Sequence, residues 1–315
     1  MVGSALVKLL VDSNTAVRIL HRESSRLDLL GPYADAVEQC VGDIMDPVSI
    51  GPAMKGVSAV FHTAAVVGFD MKGSDDPYLA NYDGTANVLN AAVEHGVDRV
   101  VHTSSIAAIG RDPDSSVVVN EARKWSPSRF NSKYAISKRK AEMEVHRAIA
   151  EGLDAVMVNP SLIFGESRPG ENTSAILERI KMRKIPGIPA GGTNVVDVLD
   201  VAAGHVAALE KGRTGERYIL GGENLSWRFI MGTLADAFGV DLTTRQLNPR
   251  FLIPAAHAIG FASRMVGRQA VITPETARIT SRFYTYDCSK AIEDLGYAFR
   301  PFKETAERLA TFFDG

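Results

Sequence analysis

Short apolar runs alternate with amphipathic segments along the first half of the chain. Apolar side chains at positions 2, 6, 9 and 10 share one face at helical spacing, which predicts a helix over residues 2–13. The same reasoning predicts helices over 77–95 and 132–151, and strands over 16–20, 37–41, 58–61, 99–102 and 155–158. Strands and helices that alternate with short connections indicate an α/β fold with a parallel sheet and helices on both faces. Such sheets bind ligands at the carboxyl ends of their strands.

The composition changes after Gly165. Residues 166–193 contain several glycines and prolines, and we predict that they form a loop, one helix and a second loop. Residues 194–221 return to a strand, a helix over 200–211 and a strand, and the chain from residue 222 onward is mainly helical in pattern. We therefore expect a larger domain from residues 1–165 and 194–221, and a smaller, mainly helical domain from 166–193 and 222–315.

Composition narrows the class of protein without identifying its chemistry. The chain has 315 residues, 45% of them hydrophobic, and a net charge of −2, which gives no reason to expect nucleic acid or an anionic membrane as a partner. No apolar run approaches the ~20 residues that span a bilayer, and the start lacks the features of a signal peptide. Cys40 and Cys288 match no metal-site spacing, so we expect reduced thiols in a cytoplasmic protein.

The candidate chemistry begins with Tyr134 and Lys138, which lie four residues apart and so project from one face of a predicted helix. A phenol has a pKa near ~10. A cation about 4–5 Å away, at an effective dielectric constant of about 20, favours the phenolate by about 3 kcal/mol, or about 2 pKa units. Tyr134 then becomes a usable acid/base, and Ser105, after the strand at 99–102, would hydrogen-bond a substrate oxygen.

The surrounding charges and a repeated spacing need separate interpretation. Lys133, Arg139 and Lys140 complete a basic run around Lys138, and we expect Arg139 and Lys140 to lie on a solvated face. A second tyrosine–lysine pair at the same spacing, Tyr286 and Lys290, has no preceding strand-end serine, so we expect it to have a packing role.

Eight segments in order make the chain recognisable. The sequence resembles the extended short-chain dehydrogenase/reductase family, also called the NAD-dependent epimerase/dehydratase family, and within it the dihydroflavonol-reductase and 3β-hydroxysteroid-dehydrogenase-like branch. The resemblance implies a Rossmann-type doubly wound sheet that binds a dinucleotide, with the smaller domain binding substrate. The segments are GDIMD (42–46), VFHTAA (60–65), NYDGTANVLNAA (81–92), RVVHTSS (99–105), YAISK (134–138), NPSLIFG (159–165), NVVDVLDVA (194–202) and GERYILGG (215–222).

The resemblance implies roles for individual residues. Asp43 would bond the adenine amino group with Ile44 beside the ring, although Asp43 as the cap of a turn stays open. The remaining implied contacts are the small Ala64 and Ala65 beside the ribose and pyrophosphate, Pro160 and Ser161 at the nicotinamide, and Lys138 at its ribose.

Two further side chains have alternative interpretations. Asn81 matches an asparagine linked to a proton relay in the family, or it caps the start of its helix. We expect His62 to be a structural histidine.

The cofactor preference rests on the end of the second strand of the family's fold. An NAD-selecting acid normally stands there, whereas this chain reads Leu20-His21-Arg22. Arg22 could pair with a 2′-phosphate or simply be solvated, so we expect NADP, with NAD as the alternative.

The start of the chain departs from the family. Gly3 matches the third glycine of the nucleotide-binding turn, and the preceding strand and first two glycines are absent from the sequence. The first helix would still point its N-terminus at the pyrophosphate. We expect a start placed too late, and a chain of this length to be less stable and to bind cofactor more weakly.

These residues favour reversible hydride transfer between NADP(H) and a carbonyl or secondary alcohol. No acidic pair follows Ser105, so dehydration is disfavoured. The alternatives are a nucleotide-sugar epimerase with tightly held NAD and a non-catalytic family member. Apolar residues of the smaller domain favour a bulky apolar substrate, although they could equally form core, and the resemblance implies a homodimer. These residues are Phe229, Ile230, Phe251, Leu252, Ile253, Phe261 and Phe283.

Overall fold

The computed structural model describes residues 1–67, 79–112, 114–128, 130–171, 173–242, 245–265 and 273–314. Two short 3₁₀ helices, separated by the non-helical backbone of Gly31, lie within Asp28–Ala36. The α-helices are α1 (Val2–Asp12), α2 (Pro47–Met54), α3 (Leu79–Glu94), α4 (Ile106–Ile109), α5 (Lys133–Ala150), α6 (Ser174–Lys181), α7 (Val198–Lys211), α8 (Trp227–Ala237), α9 (Pro249–Met265), α10 (Pro274–Thr280), α11 (Ser289–Leu295) and α12 (Phe302–Asp314). The strands are β1 (Arg18–His21), β2 (Glu38–Val41), β3 (Ala59–His62), β4 (Arg99–Thr103), β5 (Val118–Val119), β6 (Ala155–Pro160), β7 (Leu162–Phe164), β8 (Gly192–Asp197), β9 (Arg217–Leu220), β10 (Glu223–Ser226) and β11 (Thr285–Tyr286).

A parallel four-stranded sheet in the order β3-β4-β6-β9 forms the centre of the fold. Strand β6 is buried along its whole length, because helices cover both faces of the sheet. On one face α2, α3 and α5 pack on a cluster that includes Leu89, Val100 and Met157. On the other face α7 and α11 pack around Val156, Tyr218 and Leu295. The predicted α/β fold is therefore confirmed.

Strands β1 and β2 form a separate parallel pair beside this sheet. Leu20 of β1 and Val60 of β3 pack against the same core cluster, so the pair adjoins the β3 side of the sheet. No ladder of backbone hydrogen bonds joins β1 to β3 in the part of the chain that the structure describes. The facing edges of β1 and β3 are therefore not paired with each other.

A three-stranded sheet, β10-β8-β7, connects the central sheet to the C-terminal helices. Phe164 at the end of β7 packs edge-on against Phe302 at the start of α12, with ring centroids 5.0 Å apart. Helices α6, α8 and α12 surround this contact and form a second core. Strand β7 belongs to residues 1–165 and β10 to residues 222–315, so the sheet joins the two proposed domains, and their division stays a prediction.

Local sequence explains where the site-bearing helices begin. The Ser132 hydroxyl accepts a hydrogen bond from the Ala135 backbone N–H at 3.0 Å and caps α5. Ser105 caps α4 in the same way through the N–H of Ala107. No helix within the described residues is both long enough and apolar enough to cross a membrane.

Candidate active site

The carboxyl ends of β3, β4 and β6 lie side by side. The parallel register pairs His62 with His102 and Thr103 with Val158, so the segments that follow these strands meet at one edge of the sheet. The residues predicted for the site follow directly: Ala64 and Ala65 after β3, Ser105 after β4, and Pro160 and Ser161 at the end of β6.

Lys138 reaches this edge from α5. Its side chain is buried, and its Nζ donates a hydrogen bond to the backbone carbonyl of Thr103 at 2.7 Å. Burial lowers the pKa of Lys138 to about 8, and the carboxylate of Glu142, one turn further along the helix, opposes that shift. The ammonium is therefore held at the end of β4, one residue before the Ser104-Ser105 turn.

Tyr134 lies one helical turn before Lys138 and is half-buried. Ser105 is half-buried as well, and its Oγ accepts the Ala107 N–H at 3.2 Å. A hydroxyl that accepts in a helix cap keeps its own proton as a donor. The structure therefore brings a buried ammonium and a helix-capping hydroxyl to the end of β4, and Tyr134 lies one helical turn before that ammonium on α5.

Sequence reasoning missed a fourth polar group behind this set. Glu142 is fully buried on α5, and its Oε1 accepts hydrogen bonds from Ser104 Oγ and Asn159 Nδ2, both at 2.7 Å. Arg139, expected to be solvated, is instead half-buried with Nη1 3.3 Å from Glu142 Oε2. The available signal was the four-residue spacing of Lys138 and Glu142, which places both on one helix face.

The predicted adenine-side residues lie on the turn after β2. The Asp43 carboxylate accepts the backbone N–H of Met45 at 2.9 Å, so it does cap its own turn. Ile44 packs on the sheet core, and a Cβ added at Gly84 of α3 would lie 2.6 Å from Ile44 Cδ1. Glycine at position 84 therefore lets α3 approach this turn closely.

The N-terminus of α1 lies over the end of β3. A Cβ on Gly3 would be 3.0 Å from the Thr63 hydroxyl, so glycine permits this approach. Ala64 is exposed and Ala65 half-buried, which leaves small side chains beside the helix end.

Asn81 fixes the loop that carries those alanines. Its buried side-chain amide accepts the Val66 N–H at 2.6 Å and donates to the Val66 carbonyl at 3.0 Å. The same amide donates to Ser137 Oγ on α5 at 3.0 Å. These bonds run to other elements, so Asn81 links the post-β3 loop to the helix of Tyr134 and Lys138 rather than acting as a simple cap of α3.

Ser161 presents an unused polar atom at the end of β6. Its Oγ is buried and has no hydrogen-bond partner among the described residues, while its backbone N–H donates to Leu220 at 3.2 Å. Buried hydroxyls normally have partners, so this atom fits a site that a ligand completes. Pro160 precedes it and is buried in the sheet.

Arg22 follows β1 directly. Its side chain is exposed, and the guanidinium makes no hydrogen bond or ion pair with the residues that the structure describes. It is therefore available to a ligand or to solvent.

A family model described as the NAD dependent epimerase/dehydratase family matches residues 1–221. The protein belongs to this family.

Individual relatives agree with the family assignment. The chain is 34% identical over 307 residues to the "Putative dihydroflavonol 4-reductase" of Synechocystis, covering 94% of this chain and 86% of that protein. It is 33% identical over 234 residues to cinnamoyl-CoA reductase 1 of Petunia hybrida, covering 69% and 68%. The crystal structure of gox2253 superimposes with a TM-score of 0.86 at 33% identity and covers all of this chain and 95% of that one.

Three buried histidines line the sheet behind the site of this family member. His62 Nε2 lies 2.9 Å from Thr85 Oγ1, which supports the expected structural role. His205 Nδ1 donates to the Val201 carbonyl at 2.7 Å, so its Nε2 accepts from Thr103 Oγ1 at 2.7 Å. Burial lowers the pKa of His62 to about 3 and of His205 to about 4, and lowers the pKa of His102 well below its usual value. All three are neutral at pH 7.

The second tyrosine–lysine pair has structural partners. Tyr286 is buried on β11, and Lys290 donates to Glu216 Oε2 at 2.5 Å and to the Arg217 carbonyl at 2.9 Å. Both residues therefore serve packing, as their sequence context predicts.

The apolar residues expected near the substrate fall into different environments. Ile230 is fully buried in the core around α8, and Leu252 is buried in a small cluster with Ala256. Phe229 and Phe251 are exposed, whereas Ile253 and Phe283 are half-buried. The side chain of Phe261 lies outside the described residues. Ile230 and Leu252 are therefore core, and the others remain candidates for substrate contact.

Proposed function

We propose that the protein catalyses reversible hydride transfer between NADP(H) and a carbonyl or secondary alcohol of a bulky, mainly apolar molecule. The observation that carries the proposal is the buried ammonium of Lys138, held 2.7 Å from the Thr103 carbonyl, one turn from Tyr134 and two residues from Ser105. A cation that lies beside a phenol in surroundings of low dielectric constant lowers the pKa of the phenol and makes tyrosine an effective acid/base.

In this mechanism Tyr134 and Ser105 act on the reacting oxygen atom of the substrate, and Lys138 acts on Tyr134. Tyr134 donates its phenolic proton to the carbonyl oxygen during reduction and removes the alcohol proton during oxidation. Ser105 donates a hydrogen bond to the same oxygen and steadies its developing negative charge. Lys138 stabilises the phenolate through its positive charge. The nicotinamide cofactor supplies or accepts the hydride when bound.

The residues present fit such a cofactor. The N-terminus of α1, with Gly3 close to Thr63, offers backbone N–H groups to a pyrophosphate, and Ala64 and Ala65 leave space beside it. Asp43 and Ile44 would contact the adenine, and Lys138 the nicotinamide ribose. The unpartnered hydroxyl of Ser161, beside Pro160, would bond the nicotinamide carboxamide.

The choice of NADP over NAD rests on Arg22. The residue follows β1 and is exposed, and its guanidinium is not engaged by the described residues. A guanidinium in that place would pair with a 2′-phosphate. The family model is described as NAD dependent, so NAD is the alternative cofactor.

The substrate would lie between the site and the smaller domain, where Phe229, Phe251, Ile253 and Phe283 remain candidates for contact. We place the protein in the cytoplasm because Cys40 and Cys288 are both unpaired. A homodimer is proposed through α3 and α5, which pack together and expose Val93, Ile136 and Met143. Light scattering after size-exclusion chromatography tests the dimer.

Fluorescence titration with NADPH and NADH, followed by a screen of carbonyl substrates, tests the function. We expect micromolar NADPH binding, reduction of at least one aromatic or polycyclic ketone or aldehyde, and loss of that activity in Tyr134→Phe with binding retained. Tightly held NAD that co-purifies and does not exchange would favour an epimerase instead. Failure to bind either nucleotide would overturn the proposal for this chain.

A further inference from the structure

Helix α5 carries a carboxylate in the protein interior one turn beyond Lys138. Glu142 has no exposed surface, and its Oε1 accepts two hydrogen bonds of 2.7 Å, from Ser104 Oγ and Asn159 Nδ2. A buried charge is costly unless hydrogen bonds and opposite charges compensate it. An apolar side chain would be enough to pack α5 against the sheet. We therefore expect the carboxylate of Glu142 to have a role other than packing.

Both hydrogen-bond donors to Glu142 are linked to the segment that contains Ser105: Ser104 is the preceding residue, and Asn159 hydrogen-bonds to the segment. Asn159 Nδ2 also donates to the Ser105 carbonyl at 2.9 Å, and the Ser104 N–H donates to Val158 at 2.7 Å. Lys138 holds the preceding residue, Thr103, by its carbonyl. Three consecutive residues at the end of β4 are thus fixed by groups that meet at one face of α5.

Two arginines compensate the other oxygen of the carboxylate. Arg139 Nη1 lies 3.3 Å and Arg217 Nη1 3.5 Å from Glu142 Oε2. Arg217 is itself held by the backbone carbonyls of Glu121 and Arg123, at 2.7 Å and 2.8 Å from its Nη2. The carboxylate therefore has a fixed set of partners and a fixed position relative to Lys138.

We propose that Glu142 is a positioning residue for the reaction proposed above, which holds the Ser104-Ser105 turn through Ser104 and Asn159 and places a carboxylate one helical turn from Lys138. The inference rests on that proposed function. It assigns Glu142 no contact with substrate or cofactor, because the side chain lies behind the strand end and acts through its neighbours.

The charge of Glu142 has a direct effect on Lys138. Burial lowers the pKa of Lys138, and Glu142 opposes that effect. Two neutral histidines, His62 on β3 and His102 on β4, also lie close enough for the charge of Lys138 to lower their pKa values, and Tyr134 lies one turn before Lys138 on the same helix. Glu142 is therefore the negative charge that favours the ammonium.

The first experiment compares Glu142→Gln with the wild-type enzyme and with Glu144→Gln. The Glu144→Gln substitution removes the same charge from the same helix, but the Glu144 side chain is half-exposed and pairs with Arg147. We expect Glu142→Gln to lower kcat about tenfold to 100-fold with a smaller change in KM, because displaced reacting groups slow the chemical step more than binding. We also expect the alkaline limb of its pH profile to move to lower pH, and Glu144→Gln to match the wild-type enzyme.

A second variant separates geometry from charge. Ser104→Ala removes the hydroxyl that joins the turn to Glu142 and leaves the carboxylate in place. It should lower kcat while the alkaline limb stays where it is in the wild-type enzyme. Glu142→Asp, which retains the charge, should restore the limb even if kcat stays low. Wild-type kcat and an unmoved limb in Glu142→Gln would overturn the proposal.

A measurement without substrate distinguishes this inference from the proposed function. Because the pKa of Lys138 is depressed on folding, the unfolded state binds more protons above about pH 8, and stability rises with pH from there towards the ordinary lysine value. In Glu142→Gln that rise should begin at lower pH, and in Lys138→Met it should disappear. If the shift occurs and no nucleotide-linked activity is found, the proposed function fails and the coupling stands. If activity is found and the onset does not move, the inference fails.

Discussion

The Nζ of Lys138 donates to the backbone carbonyl of Thr103 at 2.7 Å, which ties the second turn of α5 to the carboxyl end of β4. The carbonyl is a neutral acceptor, so it orients the ammonium without neutralising it. In the proposed mechanism this positive charge acts on Tyr134, which lies one helical turn before Lys138. The contact helps to explain why a lysine with almost no exposed surface can lie at this edge of the sheet, because its ammonium retains a hydrogen-bond partner.

The pH profile of the reaction should report this lysine. Burial lowers the pKa of Lys138 to about 8, so the ammonium is lost as pH rises through that value. We expect kcat/KM for alcohol oxidation to fall above about pH 8, because the neutral amine no longer stabilises the Tyr134 phenolate. Lys138→Met should lack this limb and have at most about 1% of wild-type kcat/KM, as expected from losing about 3 kcal/mol of phenolate stabilisation. A limb that persists unchanged in Lys138→Met would contradict the assignment.

Acid should destabilise the fold through its buried histidines. His62 and His205 have pKa values lowered to about 3 and about 4, and that of His102 is also lowered, against an ordinary value near 6.5. As pH falls, the histidines of the unfolded state bind protons before those of the folded state do. Their contribution to the free energy of unfolding is therefore fully present above about pH 6.5 and declines as pH falls towards 4. Each histidine contributes a slope of about 1.4 kcal/mol per pH unit.

Urea unfolding between pH 4 and 7 checks this prediction with His102→Leu. His102 has no exposed surface, and neither ring nitrogen has a partner among the described residues, so leucine should be tolerated. The free energy of unfolding of His102→Leu should change less steeply with pH, because one histidine fewer binds a proton on unfolding. The exposed His257→Leu on α9 is the control and should have the wild-type slope. Equal slopes in all three proteins would show that His102 is not a buried neutral group.

A side chain at position 165 should lower the stability of the fold. A Cβ at this position would lie 2.4 Å from Val198 Cγ1 and 2.5 Å from its Cβ, and the latter is fixed to the first turn of α7. We expect Gly165→Ala to lower the free energy of unfolding by about 1–3 kcal/mol. Gly232→Ala is the matched control, because that glycine lies within α8 with open space around it. Helix propensity should make the control more stable by about 0.5–1 kcal/mol, and equal stabilities would refute the packing argument.

The positions of the main strands were predictable because each combines an apolar run with a polar strand end. The predicted strand at 99–102 is β4 (Arg99–Thr103), and the predicted helix over 132–151 is α5 (Lys133–Ala150). Residues 77 and 78 of the helix predicted over 77–95 lie outside the described residues. The spacing of Tyr134 and Lys138 indicated a shared helix face because helical geometry is local.

The polar network behind the site was not predictable from spacing alone. Glu142 is buried because Ser104, Asn159 and Arg217 reach it from distant segments, and the helical spacing that places it one turn from Lys138 does not indicate those partners. Arg139 and Lys140 were both assigned to a solvated face because they belong to a basic run on one helix, and of the two only Lys140 is exposed. The three-stranded sheet was also missed, since β7 and β10 are short and have no period of their own.

Replacement of Arg22 by alanine should discriminate between the two nicotinamide nucleotides. The side chain is exposed at the end of β1, where it would pair with a 2′-phosphate that NADPH has and NADH lacks. We expect about tenfold weaker NADPH binding, equivalent to ~1.4 kcal/mol, and unchanged NADH binding, measured by fluorescence titration at constant ionic strength. Arg179→Ala, an exposed arginine on α6, controls for the loss of one surface charge and should alter neither affinity. Equal weakening of both nucleotides by Arg22→Ala would indicate a contact other than the 2′-phosphate, and no change in either would show that Arg22 is only solvated.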